Sequence, residues 1–110
     1  IRLFGDGSQR RDFTFVDDVV AATSAALERA PVGETLNVAR GRTVRLSEVI
    51  ETIGLVTGRP LEVEQTAREI GDVRVTSAVI DRAARVLDYA PSTDLSDGIR
   101  RQWAHVQDHA

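Results

Sequence analysis

The side chains able to do chemistry in this chain are mostly of one kind. All 14 basic residues are arginine, and there is neither lysine nor cysteine. A lysine Schiff base, a P-loop lysine, a thiol nucleophile and a Cys-ligated zinc are therefore excluded within these residues. Tyr89 is the one tyrosine, so a catalytic Tyr/Lys pair cannot be built here. Arginine is suited to another task. Its guanidinium stays charged and offers a planar fork of donors that matches phosphate oxygens. Glu62, Glu64 and Glu69 form no convincing acid/base pair and read as surface. His105 and His109 have the i, i+4 spacing of metal ligands, but no third ligand stands near them. They read as a solvated helix end, and no metal is expected.

The elements that would position these groups can be drawn from periodicity and punctuation. Arg2-Leu3-Phe4 reads as extended and runs into the turn Gly5-Asp6-Gly7-Ser8. The alternation in Arg11-Asp12-Phe13-Thr14-Phe15-Val16 predicts a half-buried strand with Phe13 and Phe15 on one face. Asp17-Asp18 suits a helix start, with Val19, Val20, Thr23 and Leu27 as its inner stripe and Pro31 and Gly33 closing it. Thr35-Leu36-Asn37-Val38 reads as a short strand. Ser47 is the expected cap of a second helix, with Val49, Ile50, Ile53 and Val56 as its apolar face and Gly58 then Pro60 as the stop. Leu61-Glu62-Val63-Glu64 alternates as an edge strand, and residues 65–76 read as irregular. Asp81 could cap a short helix carrying Ala84 and Leu87. Asp94 with Asp97 resembles a capping box ahead of a last helix striped by Leu95, Ile99, Trp103 and Val106. The order predicts an α+β unit, a small helix-rich domain with short strands.

Size and charge set the remaining bounds. The chain has 110 residues, 42% apolar and 28% charged, with a net charge of −3. That is an ordinary globular mixture for one domain with a modest core. It carries no basic field for nucleic acid and no apolar run of membrane-spanning length. A cytoplasmic location is the expectation. The chain has no methionine and opens Ile1-Arg2-Leu3-Phe4, so it is expected to be a piece of a longer polypeptide.

Three stretches carry a resemblance. The first is Phe4-Gly5-Asp6-Gly7-Ser8-Gln9-Arg10-Arg11-Asp12-Phe13-Thr14-Phe15-Val16-Asp17-Asp18. The second is Gly33-Glu34-Thr35-Leu36-Asn37-Val38 followed by Leu46-Ser47-Glu48-Val49-Ile50 and Gly58. The third is Arg68 with Gly71-Asp72-Val73, then Leu87-Asp88-Tyr89-Ala90-Pro91. In this order they resemble the C-terminal, substrate-binding part of the extended short-chain dehydrogenase/reductase enzymes. These are the NAD-dependent nucleotide-sugar epimerases and dehydratases, of UDP-glucose 4-epimerase-like type, within the NAD(P)-binding Rossmann superfamily.

The resemblance implies that residues 1–110 form a C-terminal nucleotide-sugar-binding domain whose NAD-binding Rossmann domain lies outside the chain. A nucleotide-diphosphate sugar would sit in the cleft between the two. By that resemblance Arg11 and Arg68 contact the diphosphate, Asp72 the ribose, and Phe4 walls the base pocket. Catalysis is expected from the other domain, leaving these residues inactive alone and holding no cofactor by themselves. There are departures: two residues rather than one separate Arg68 from Gly71-Asp72, Val79 stands where an Asp is common, and Asp88 where a Gly is common. Arg74 thus competes with Arg68 for the second phosphate.

Plainer readings stand beside these. Arg11 could pair with Asp12, Asp17 or Asp18; Arg68 could be solvated, Asp72 a turn residue and Phe4 simple core. Gly5-Asp6-Gly7 could be only a tight turn, since Arg10 stands where a dinucleotide fingerprint needs its third glycine. A stand-alone interaction module is the alternative for the whole chain. Association into a homo-oligomer through exposed apolar surface is also expected.

Overall fold

In the computed structural model, which describes residues 1–30 and 32–110, eight short elements follow one another. They are β1 (Arg2–Phe4), β2 (Arg10–Asp12), α1 (Val16–Arg29), β3 (Thr43–Arg45), α2 (Leu46–Thr57), β4 (Glu64–Thr66), α3 (Asp81–Leu87) and α4 (Leu95–Asp108). This is the helix-rich α+β architecture with short strands that the sequence predicts.

The strands form two separate pairs. β1 lies parallel to β4, with Leu3 opposite Gln65. β2 lies antiparallel to β3, with Arg11 opposite Val44. On its other side β2 takes a single bridge from the 74–76 segment: Arg10 N–H donates to the Arg74 carbonyl at 2.8 Å, and Thr76 N–H to the Arg10 carbonyl at 3.1 Å. The region from 65 to 76, expected as irregular, is thereby stitched to both strand pairs. β4 also begins three residues later than the predicted strand over 61–64.

Helix α1 corrects the largest expectation. Its start is Val16, capped by Phe15 with no side-chain bond, so neither Asp17 nor Asp18 is a cap. Its inward face is Asp18 and Ala22, with Ala25 and Ala26 half-buried. Val19, Val20 and Leu27, expected inside, are exposed, Leu27 by 88%. The reason is spacing: the short alanine side chains let α1 pack close to α3, and the larger stripe is turned away. The core here is Ala22, Ala83, Leu87 and Tyr89, with Leu36, Val38, Ile80 and Val86 packed against it. On α3 it is Ala83 rather than the expected Ala84 that faces inward, and Ile80 rather than Asp81 that occupies the cap position. Pro31 falls outside the described residues.

Asp18 has a different task from the expected one. It is 6% exposed and accepts from the Ser92 and Thr93 N–H groups at 3.0 and 3.2 Å, and from Ser92 Oγ at 3.3 Å. Burial pushes its carboxyl up, but these bonds outweigh that and hold it below the ordinary carboxylate value. Thus α1 clips the segment that leads into α4.

The second half of the molecule packs α2 on α4. Val49 is buried, and Ile53, Ile99, Trp103 and Val106 surround a cavity of about 470 Å³ together with Phe13 and Phe15. The strand predicted through residue 16 ends at Asp12, because Phe13 and Phe15 leave the sheet to line this cavity. Gly98 allows the approach: a Cβ there would lie 3.0 Å from the Phe15 ring. Asp94 caps α4 as expected, accepting from Asp97 N–H at 2.8 Å. Ser47 is not a cap; α2 starts one residue earlier, and Ser47 N–H donates to the Gly7 carbonyl at 3.0 Å.

Candidate nucleotide-sugar site

The turn after β1 is built from local chemistry. Asp6 Oδ1 accepts from Ser8 N–H at 3.0 Å and Ser8 Oγ at 2.5 Å, closing an Asx-type turn. The Ser8 hydroxyl and N–H hold the Asp6 carboxyl below its ordinary value. Gly7 has a φ of +78°, and a Cβ on it would meet Ser47 Cβ at 3.3 Å. Glycine is therefore required twice over, by the left-handed backbone and by the nearness of α2. Gln9 then reaches back, its Nε2 donating to the Phe4 carbonyl at 2.9 Å.

This turn, the start of β2 and the 68–74 segment converge on two adjoining cavities. One, of about 220 Å³, is lined by Phe4, Gly5, Gln9, Arg68, Asp72 and Arg74 among others. The second, of about 360 Å³, has Arg2, Phe4, Gln9, Arg11, Leu46, Glu69 and Asp72 in its wall. Of the four residues named from the sequence, Phe4 and Asp72 border both cavities, Arg68 the smaller and Arg11 the larger, although Arg68 and Asp72 are more than fifty positions from Phe4 and Arg11.

Arg11 is held on both arms. Its Nη1 donates to the Arg10 carbonyl at 2.8 Å, and its Nη2 meets Asp72 Oδ1 at 2.6 Å. The side chains remain 29% and 25% exposed, so the pair borders the cavity instead of being sealed off from it. The acids weighed as Arg11's partners are engaged elsewhere. Asp12 accepts from the Arg40 and Gly41 N–H groups at 2.9 and 2.8 Å, Asp17 pairs with Arg101, and Asp18 holds Ser92 and Thr93. Asp72 is the partner that sequence distance concealed.

Arg68 Nη2 donates to the Asp72 backbone carbonyl at 2.5 Å, closing the 68–72 loop on itself. Arg74 borders the same cavity as Arg68. Two residues without an assigned role in the sequence reading also stand here. Gln9 borders both cavities, and Arg2 borders the larger. Gln9 lay within the first recognisable stretch, which was the available signal; Arg2 had none. Elsewhere, His105 and His109 are exposed, with His109 Nδ1 2.8 Å from the His105 carbonyl oxygen. Among the described residues no helix is long and apolar enough to cross a membrane.

Comparison with known proteins bears on the family and the fold. The NAD dependent epimerase/dehydratase family model matches residues 1–39. Over these residues the chain resembles that family, and its fold is that of the C-terminal part of such enzymes. It is 34% identical over 103 residues to the UDP-glucuronate 4-epimerase of Thermodesulfobacterium geofontis, covering 92% of this chain and 31% of the relative. It is 37% identical over 100 residues to the UDP-glucose 4-epimerase of Mycolicibacterium smegmatis, covering 91% and 32%. The structure of UDP-glucuronic acid 4-epimerase from Bacillus cereus, in complex with UDP-glucuronic acid and NAD, matches with a TM-score of 0.90 and 30% identity, covering 99% of this chain and 35% of that one. UDP-glucose 4-epimerase from Thermotoga maritima, with UDP-glucose, gives a TM-score of 0.91 at 28% identity, with the same two coverages. The chain thus spans about a third of the length of the relatives it matches.

Proposed function

We propose that this chain is the nucleotide-sugar-holding part of an NAD-dependent epimerase or dehydratase, with hydride chemistry carried by polypeptide outside these residues. The observation that carries the reading is the meeting of Arg11, Arg68 and Arg74 with Asp72 and Phe4 around two adjoining cavities. Guanidinium groups neutralise a diphosphate, an ionised carboxylate accepts from vicinal ribose hydroxyls, and an aromatic wall lies against a base. Arg11 comes pre-oriented by the Arg10 carbonyl. An arriving diphosphate competes with Asp72 for the Arg11 fork, and the released carboxylate turns to the ribose. The sugar would then project toward the enzyme's remaining part.

NAD does not fit these residues by themselves. The glycine turn Gly5-Asp6-Gly7 leads into strand β2 and not into a helix N-terminus, where a pyrophosphate would find aligned N–H donors. This chain's part is to bind and orient, and no proton or hydride step is assigned to it. A self-standing interaction module would account for the exposed apolar faces but leaves the arginine cluster without a purpose.

The test is calorimetry on the complete enzyme. Arg11→Ala is expected to weaken nucleotide-sugar binding by about tenfold to a few hundredfold, the scale of one or two charge-assisted hydrogen bonds. Unchanged affinity would remove the reading. The 110-residue chain alone is expected to show no epimerase or dehydratase turnover, and measurable turnover would contradict the division of labour.

A further inference from the structure

A single residue occupies both arginines that a diphosphate would need. Arg11 Nη2 meets Asp72 Oδ1 at 2.6 Å, and Arg68 Nη2 donates to the Asp72 backbone carbonyl at 2.5 Å. Each guanidinium thus already has an oxygen acceptor of the kind a phosphate would supply. Asp72 also stands between the two cavities: with Phe4 and Gln9 it is common to both walls. The smaller, at about 220 Å³, lies below the roughly 300 Å³ at which small-molecule sites begin. In this state the pocket is divided, and its cations are satisfied from within the chain.

The loop that carries Asp72 is held at its ends and little between them. Gly5 N–H donates to the Thr66 carbonyl at 3.0 Å on one side, and Arg10 N–H to the Arg74 carbonyl at 2.8 Å on the other. Between these anchors, among the described residues, the bond from Arg11 to Asp72 is the one hydrogen bond that reaches the loop from outside it. The remaining two are internal: Asp72 N–H to the Glu69 carbonyl at 3.3 Å, and Arg68 to the Asp72 carbonyl. From Ala67 to Ser77, Asp72 alone is half-buried and every other residue is exposed. Gly71, with φ of +88°, has nothing within 4 Å of where a Cβ would stand. A segment with few apolar contacts and one outside tether opens at low cost. Arg11 therefore holds the loop, and whatever takes Arg11 releases it.

We infer that Asp72 is a specificity-determining residue of this site: its carboxylate is an internal anion that keeps bare phosphates off Arg11 and yields only to a diphosphate joined to a ribose. The inference rests on the reading under Proposed function and deepens it. The exchange of partners closes for one class of ligand. Inorganic pyrophosphate takes the Arg11 fork but leaves a half-buried carboxylate without its cation, beside a second anion. A nucleoside diphosphate takes the same fork and brings two vicinal hydroxyls, which donate to the displaced carboxylate. Leaving a charged group unpartnered is the costly outcome. Selectivity then comes from what becomes of Asp72, a penalty on the wrong ligand and not an added contact to the right one. If Asp72 served only the ribose, it would have no effect on an anion that has none.

The test is calorimetry on the complete enzyme with inorganic pyrophosphate and with the tightest-binding of UDP, dTDP and GDP. Asp72→Asn keeps the side chain's shape and removes its charge. It should strengthen pyrophosphate binding about three- to tenfold, the scale of a half-exposed ion pair. It should weaken nucleoside diphosphate binding, because the charge-assisted bonds lost to the ribose exceed the gain from freeing Arg11. The preference for nucleoside diphosphate over pyrophosphate should therefore fall at least about tenfold. In an Arg11→Ala background the pyrophosphate gain should disappear, which separates release of Arg11 from a general loss of negative charge. Circular dichroism verifies that the variants keep the fold. Pyrophosphate affinity unchanged by Asp72→Asn overturns the inference. So does a gain of the same size without Arg11, or both probes binding more tightly to the same degree. An enzyme that binds none of the nucleoside diphosphates ends this claim and the proposed function together, whereas nucleotide binding without a pyrophosphate gain ends this claim alone.

Discussion

Two corners of this molecule are built on opposite terms. Where α1 meets α3, short apolar side chains close around Leu87 and Tyr89, and the one buried charge, Asp18, accepts three hydrogen bonds. Tyr89 donates to the Ala39 carbonyl at 2.8 Å, and burial, with Asp18 and Asp12 nearby, holds its phenol above the ordinary value. Where β1 and β2 meet the 68–74 segment there is almost no apolar core. Arginines are tethered to backbone carbonyls and to one half-exposed acid. The first corner uses Asp18 and Tyr89 to hold the fold. The second keeps guanidinium donors beside open space, where a ligand can reach them. The contacts that hold the fold and the groups proposed to bind are thereby separated in space.

The separation gives its largest expected effect at Leu87, the one large side chain fully buried among the described residues. Leu87→Ala should cost about 2–5 kcal/mol of stability, from lost transfer energy and the cavity left behind. Urea unfolding measures it; a loss below about 1 kcal/mol would mean this corner is not the core. Next comes Asp18→Ala, expected to cost about 2–3 kcal/mol, since two backbone donors lose a charged acceptor while the burden of burying that charge is relieved. Its signature is pH dependence. The folded carboxyl titrates below its unfolded value of 3.8, so its contribution is complete above that value and disappears as pH falls through the folded value. Urea midpoints of the native chain and Asp18→Asn should converge between about pH 5 and pH 2. A gap that widens in acid would reverse the assignment.

At the other corner Arg11→Ala, expected to impair ligand binding, should change stability by less than about 1 kcal/mol, because a half-exposed ion pair contributes little. A loss as large as that at Leu87 would make Arg11 a structural residue and erase the contrast between the corners.

How much of this could be read from residues alone divides along the same line. The Phe4–Asp18 stretch and Arg68–Asp72 stood out through the resemblance they carry, and Phe4, Arg11, Arg68 and Asp72 do border the two adjoining cavities. The Arg11–Asp72 pair was not legible, since it joins positions 61 apart, brought together by the β1–β4 pairing and the bridge between β2 and residues 74–76. The last helix and its Asp94 cap were legible from period and local spacing. The orientation of α1 departs from the expectation for a physical reason: hydrophobicity does not say which side chains allow the closest helix contact. Valines outrank alanines on that scale, yet alanines allow the closer helix contact. Asp18 was read as a cap because its partners, Ser92 and Thr93, lie more than seventy residues away. Thr35–Val38 reads as a strand by alternation, but a strand is a relation between two segments.

The smallest effect tests the helix-bound corner at its edge. Asp88 ends α3 with φ of +54°, the one non-glycine residue with positive φ among those described, and it stands where the resemblance expects glycine. The left-handed conformation costs an ordinary side chain about 1 kcal/mol, less for aspartate, whose short polar group tolerates it. The ion pair from Arg29 to Asp88 spans 3.8 Å between exposed groups and offsets little of that. Asp88→Gly should therefore stabilise the chain by roughly 0.5 kcal/mol, after the greater freedom of glycine in the unfolded state is subtracted. Asp88→Val should destabilise it by about 1–2 kcal/mol, because a β-branched residue is poorly accommodated there. The pair of thermal midpoints discriminates: opposite shifts identify backbone strain at the end of α3, whereas equal losses would mean that the Asp88 carboxylate, through Arg29, is what holds α3 to α1.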